Sequence, residues 1–165
     1  MSSPLTTELT DFTSTVGTIT TVTVDSSVSG ETELQGIGTC RPKGVVLVLE
    51  DDPVQQQLLQ HHLESMSLSV LAASTVAAAK KICSQHPLQL AILDLHVSDG
   101  SGFEICETID ERPQLAGVPI IVVSSANDSN IVRQTRAAGV CFFVSKPYDP
   151  NVLLTLVEHL LERDI

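Results

Sequence analysis

From residue 45 onward, short β-branched runs alternate with segments of helical pattern, and this alternation limits the possible folds more than any other feature of the chain. The strand candidates lie at 45–49 (VVLVL), 69–73 (SVLAA), 90–93 (LAIL), 120–123 (IIVV) and 141–144 (CFFV). Helical patterns begin near Pro53, Thr75, Gly102, Asn127 and Pro150. Proline in a first helical turn and glycine just past a helix end, as at Gly139, supply the expected punctuation. The last pattern repeats apolar residues at 153, 156, 157, 160 and 161, the spacing of an amphipathic helix. Strands that alternate with helices make parallel crossovers, so the chain is expected to form an α/β, doubly wound five-stranded parallel sheet with helices on both faces. The first, third and fourth runs are apolar almost throughout, as strands buried on both faces are. For a sheet of this size the common strand order is 2-1-3-4-5.

Composition divides the chain near Gly44. Residues 1–44 hold 17 Ser or Thr and one aromatic, Phe12. Such a stretch buries too little apolar surface to offset the entropy of ordering it, so disorder is the expectation there. Within it, residues 18–25 (TITTVTVD) are β-branched and partly alternating, which leaves a lone or partner-docking strand as the alternative. The domain expectation is therefore a Ser/Thr-rich extension at 1–44 and a folded domain at 45–165.

Charge and cysteines exclude several functions. The sum of 9 basic and 20 acidic residues is −11, and no concentrated basic face is visible, which argues against direct nucleic-acid binding. No apolar run approaches the roughly 18 residues of a membrane span. The start of the chain lacks the basic and apolar regions of a secretory signal. Cys40, Cys83, Cys106 and Cys141 form no CxxC pair, so neither a zinc cluster nor a disulfide framework is expected. The compartment is expected to be the reducing cytoplasm.

Open parallel sheets bind ligands beyond the carboxyl ends of their strands, where strand order reverses. After the first strand come Glu50, Asp51 and Asp52, and after the third comes Asp94. Ser124 and Ser125 follow the fourth, and Ser145 and Lys146 the fifth. In the order 2-1-3-4-5 these positions converge. Clustered carboxylates repel unless a cation lies among them, and an oxygen-only set suits magnesium, which shares its coordination with water and phosphate oxygens. A lysine supplies a point charge for an anion and a hydroxyl supplies a hydrogen bond. Phosphoryl transfer needs little beyond positioning and charge neutralisation, and a carboxylate can itself accept the group. The constellation is that of a Mg2+-dependent phosphoacceptor.

From about Val45 to Glu162 the chain resembles the response-regulator receiver domain of two-component signalling. The match rests on VLVL-Glu50-Asp51-Asp52-Pro53, on the loop Asp94-Leu-His-Val-Ser-Asp-Gly-Ser-Gly102, on Ser125-Ala126 and on Lys146-Pro147. The resemblance implies a flavodoxin-like fold in which Asp94 takes the phosphoryl group. It implies that Glu50, Asp51, Asp94 and the backbone carbonyl of His96 hold magnesium, with Ser125 as switch hydroxyl, Lys146 as the cation and Phe143 as switch aromatic. Side chains at His96 and Asn127 would tune the lifetime of the phosphoaspartate. The implied partners are a sensor histidine kinase or phosphotransfer protein and a downstream protein, with a phosphorylation-dependent dimer allowed.

Three departures stand out: Ser98 replaces the proline usual in the phosphoacceptor loop, Glu50 replaces the commoner aspartate, and serine replaces threonine at the switch. Asp52 is expected to serve as a first-turn acid on the helix dipole rather than as a ligand. His61 and His62 are expected on a solvated helix face, and Phe142 competes with Phe143. With Ile165 directly after the last helix, a stand-alone regulator or phosphorelay shuttle is expected, not an enzyme acting on a metabolite. The competing readings are a phosphorylation-independent adaptor and a haloacid-dehalogenase-type phosphatase. The second is disfavoured because Asp94 follows the third strand, not the first. Flavin binding fails because Glu50-Asp51-Asp52 would repel its phosphate.

Overall fold

The computed structural model describes residues 43–125 and 129–162. The expectations for the Ser/Thr-rich extension, including the strand candidate at 18–25, and for Asn127 lie outside the described residues. The elements are β1 (Val45–Leu49), α1 (Pro53–Ser65), β2 (Ser69–Ala73), α2 (Val76–Gln85), β3 (Leu90–Leu93), α3 (Phe103–Asp110), β4 (Ile120–Ser124), α4 (Ser129–Ala137), β5 (Phe142–Ser145) and α5 (Pro150–Glu162), with a 3-10 turn at Pro113–Leu115. All strands are parallel and their order is β2-β1-β3-β4-β5. This is the flavodoxin-like fold that the alternation predicts. The fifth strand begins one residue later than its apolar run, at Phe142, with the Cys141 N–H donating to the Ile120 carbonyl at the strand's entry.

Successive strand residues point to opposite faces, and the core divides accordingly. Leu47, Leu49, Ala91, Leu93, Ile120 and Val122 pack with Ala79, Cys83, Ile105 and Ile109 from α2 and α3. Val46, Val48, Leu90, Ile92, Ile121 and Val123 pack with Leu59, Leu63, Leu153, Val157 and Leu160 from α1 and α5. Strands β3 and β4 are buried along their whole length, and β1 is buried apart from Val45, whereas the edge strands β2 and β5 are partly open.

Helix ends follow local chemistry. Asp52 caps α1, accepting from the Val54 and Gln55 N–H groups at 2.8 and 3.0 Å, with Pro53 in the first turn. Thr75 caps α2 through the Ala78 N–H at 3.1 Å. After α4 the chain reverses at Gly139, whose φ of 71° is open to glycine at no steric cost. There the Val140 N–H donates to the Thr135 carbonyl and the Gly139 N–H to that of Arg136, the paired bonds of a Schellman motif.

Cys83 and Cys106 are buried among these side chains, and burial pushes the Cys106 thiol up to about 11. Cys141 is exposed.

Candidate phosphoacceptor site

The sheet delivers three carboxylates to one point. β1 and β3 are hydrogen-bonded neighbours with Leu49 opposite Leu93, so the residues that follow them emerge side by side. Glu50, Asp51 and Asp94 each place a carboxylate oxygen such that all three lie within 4.8 Å of one another. Glu50 and Asp94 are buried, while Asp51 is exposed. The backbone fixes their roots, since the Asp94 N–H donates to the Leu49 carbonyl at 2.9 Å and the Glu50 N–H to that of Ala73 at 3.0 Å.

Lys146, just past β5, reaches into the cluster. Its Nζ donates to Glu50 Oε2 at 2.6 Å and to Asp94 Oδ2 at 2.7 Å. Burial alone would lower the ammonium's pKa, but the hydrogen bonds and charges of Asp94 and Glu50 carry it above its ordinary value. Lys146 is held from behind as well, because its backbone N–H donates to the Ser124 carbonyl at 3.0 Å.

The oxygen-only donor set fits a hard divalent cation, and acidic residues gathered this closely are the arrangement magnesium favours. Glu50, Asp51 and Asp94 could hold it. Asp52 is not among them: its carboxylate caps α1, and the Gln55 and Val54 N–H groups hold its pKa below the usual value. It serves the helix start as expected, but as the N-cap rather than as a first-turn acid.

The other candidates occupy distinct places. Ser125 is exposed and lines a cleft of about 640 Å3 together with Glu50, Asp51, Asp94 and Lys146. Ser124 is fully buried, with its hydroxyl 3.2 Å from Nδ1 of His96. The His96 side chain is thus turned toward β4, while its backbone N–H donates to Asp94 Oδ1 at 2.9 Å. Phe143 is half-buried and packs against the α2/α3-side core, and Phe142 packs on the opposite face. His61 is exposed as expected, but His62 is half-buried and lines the cleft.

Several residues at the site carry no motif of their own. Tyr148 lines the cleft beside Lys146, and burial raises its hydroxyl pKa. Gln56 donates from its side chain to the Glu50 carbonyl at 2.8 Å. Gly102 packs so tightly under Asp94 that a Cβ there would lie 2.4 Å from the Asp94 carbonyl oxygen. The turn dipeptide Asp99-Gly100 signals a tight turn in the loop, but the sequence does not say what the Asp99 side chain touches.

The position of the charge defines the class of domain. Ligand sites of doubly wound sheets lie at the carboxyl ends of the strands, and a charged cluster there on a 2-1-3-4-5 sheet is the build of a CheY-like signalling domain. Residues 46–158 match the model of the response regulator receiver domain, and the chain belongs to that family. It is a signalling domain built around a phosphoacceptor rather than an enzyme of metabolism.

Among relatives, the transcriptional regulatory protein KdpE of Mycobacterium tuberculosis is 32% identical over 120 residues, covering 73% of this chain and 52% of KdpE. The transcriptional regulatory protein GltR of Pseudomonas aeruginosa is 29% identical over 118 residues, covering 72% of this chain and 49% of GltR. The chain thus spans about half the length of these regulators. Among solved structures, the receiver domain of the sensor histidine kinase PA1611 of P. aeruginosa, with magnesium coordinated in its active-site cleft, shares the fold. Its TM-score is 0.66 at 18% identity, over 72% of this chain and 98% of that one. Among the described residues, no helix is long and apolar enough to cross a membrane.

Proposed function

We propose that this domain is a phosphorylation-controlled switch that accepts a phosphoryl group on Asp94 from a histidine kinase or phosphotransfer protein and signals through protein contacts. The observation that carries the reading is the cluster of Glu50, Asp51 and Asp94 bridged by Lys146 at the carboxyl end of the sheet. An Asp94 carboxylate oxygen attacks phosphorus while the bond from phosphorus to the donor nitrogen breaks, and the electron pair returns to the donor imidazole. Later, water attacks the same phosphorus and releases inorganic phosphate, returning Asp94 as a carboxylate. Glu50, Asp51, Asp94 and the His96 backbone carbonyl would hold Mg2+, which when bound neutralises charge on the phosphoryl oxygens. The magnesium in the PA1611 receiver, which has the same fold, supports that choice of ion.

Lys146 already contacts Asp94 and needs little movement to follow the incoming oxygens. Ser125, open to the cleft, is the hydroxyl that closes on them, and Phe143 follows that movement at the edge of the sheet. His96 and Asn127 tune the lifetime of the phosphoaspartate. A second assignment gives the switch hydroxyl to Ser124, favoured by its bond to His96 beside the phosphoacceptor. The site of action is the cytoplasm, and the downstream partner is a protein rather than nucleic acid.

Intact-protein mass after incubation with acetyl phosphate and Mg2+ tests the reading. The expected result is a hydroxylamine-labile gain of one phosphoryl group, absent in Asp94→Asn and with EDTA. In Ser125→Ala and Ser124→Ala the label is retained, and the variant that no longer shows the beryllofluoride-induced amide shifts around β5 identifies the switch hydroxyl. No mass gain and no beryllofluoride response in the unmodified chain would favour the phosphorylation-independent adaptor.

A further inference from the structure

The loop from Asp94 to Gly102 carries the phosphoacceptor, yet it has serine at position 98, where proline would fix the backbone. Its middle is a tight turn. The Gly100 N–H donates to the Val97 carbonyl at 3.3 Å and the Val97 N–H to that of Gly100 at 3.4 Å, which leaves Ser98 and Asp99 at the tip. That tip is anchored to a distant helix. Asp99 Oδ1 accepts from the Val76 N–H at 2.7 Å and Oδ2 from the Ala77 N–H at 3.1 Å, so one carboxylate satisfies two free donors at the start of α2. The first turn of α2 has no acidic residue of its own, and Thr75 reaches only the Ala78 N–H. A second strut runs alongside: Glu104 accepts from the Ser101 N–H at 3.3 Å and from Lys80 of α2 at 2.7 Å. The turn also lies directly on α2, since a Cβ at Gly100 would sit 3.1 Å from Val76 Cγ2. Movement of the turn reaches the site within two residues, because the His96 N–H is bonded to Asp94 Oδ1.

We propose that Asp99 is a positioning residue: its two bonds to α2 hold the turn that sets the Asp94 carboxylate and the His96 backbone, supplying the rigidity that a proline at 98 would otherwise give. The inference rests on the phosphoacceptor reading above. Asp99 lies outside the carboxylate cluster and does not line the cleft. It acts through the loop, in the way that partners behind a ligand set orient it.

The test compares labelling by acetyl phosphate across a Mg2+ titration, followed by intact mass. Asp99→Ala is expected to raise the half-saturating Mg2+ concentration about tenfold, the usual scale for losing such a partner. Adding Ser98→Pro to Asp99→Ala is expected to restore most of that loss, because position 98 is the second residue of the turn, where proline is favoured. Thr75→Ala removes a cap from the same helix without touching the loop, so it is expected to lower Tm and leave the Mg2+ dependence unchanged. Asp99→Asn keeps one acceptor oxygen, gives a shift in the same direction, and stands in should Asp99→Ala fail to fold.

An unchanged Mg2+ dependence in Asp99→Ala would overturn the proposal. So would an equal shift in Thr75→Ala, which would reduce the effect to fraying of α2. Failure of the proline to rescue would overturn the claim that turn rigidity is what Asp99 supplies. If the unmodified chain takes no phosphoryl group and shows no beryllofluoride response, the phosphoacceptor reading itself fails and this inference falls with it.

Discussion

Two loops bring carboxylates to the same point, and they are held in opposite ways. The loop after β1 is short and secures itself: Asp52 caps the helix that follows it, and Gln56, one turn further on, ties down the Glu50 carbonyl. The loop after β3 is long and is held from outside, by the start of α2 at Asp99 and by Gly102 fitted under the Asp94 carbonyl. A loop pinned within its own helix is placed once that helix forms. A loop pinned to another helix is placed only when the two are packed, so its geometry responds to anything that shifts α2.

The charge that joins the two loops offers the strongest way to break this comparison. Lys146 bonds to Glu50 from one loop and to Asp94 from the other, with its side chain 13% exposed. Lys146→Ala leaves two buried carboxylates facing each other, and removing one partner of such a pair costs about 3 kcal/mol. A bound cation replaces the missing charge, so Mg2+ should raise the Tm of Lys146→Ala by more than that of the unmodified chain. Thermal melts with and without Mg2+ measure both, and an equal Mg2+ increment in the two proteins would argue against the cluster as the ion site.

The contrast between the loops also sets how far the sequence could be followed. Fold class, strand order and the convergence of Glu50, Asp51, Asp94 and Lys146 were legible, because apolar runs alternating with helical patterns and strand-end position are local signals that the parallel topology converts into neighbours. That Asp52 belongs to the helix start rather than to the ligand set was legible from an acid directly before Pro53, but as a first-turn acid on the dipole, whereas the side chain caps the helix from one position earlier. The role of Asp99 was not, since its partners Val76 and Ala77 are backbone groups more than twenty residues away, and a backbone N–H has no sequence signature. The facing of Ser124 and Ser125 was also beyond reach: at the end of a strand, alternation predicts that they diverge but not which one meets His96.

Gly102 sharpens the comparison at a smaller scale. In Gly102→Ala the added methyl carbon would press on the Asp94 carbonyl, a backbone group that cannot swing aside as a side chain would. Overpacking of this kind costs about 2 kcal/mol. Urea denaturation should register the loss as a lower midpoint with an unchanged slope. The β3–α3 loop, which includes Asp94, should show faster amide exchange than the self-capped loop at Asp51 and Asp52, because the strain falls on one loop alone.

The smallest effect is a pH dependence shared by the two caps. Asp52 and Asp99 both have pKa values lowered by the backbone N–H groups they accept, Gln55 then Val54 for the first, Val76 then Ala77 for the second. In the unfolded chain these carboxyls titrate near the ordinary value of about 3.9, so below it the unfolded state binds more protons. Each cap therefore stabilises the fold fully above that value and is lost as pH falls through its lower, folded value. Both side chains are solvent-facing, so the slope of stability against pH is shallow, and it should flatten further in Asp52→Asn and Asp99→Asn alike. The two variants should separate in amide exchange. Acidification of the unmodified chain loosens residues 95–101 as the Asp99 bonds weaken, and Asp99→Asn removes most of that response. Asp52→Asn should leave it intact, because the capped helix on that side belongs to the loop's own segment. Equal loosening of both loops in both variants would mean that the two are held in common, and the contrast between self-secured and externally anchored loops would not stand.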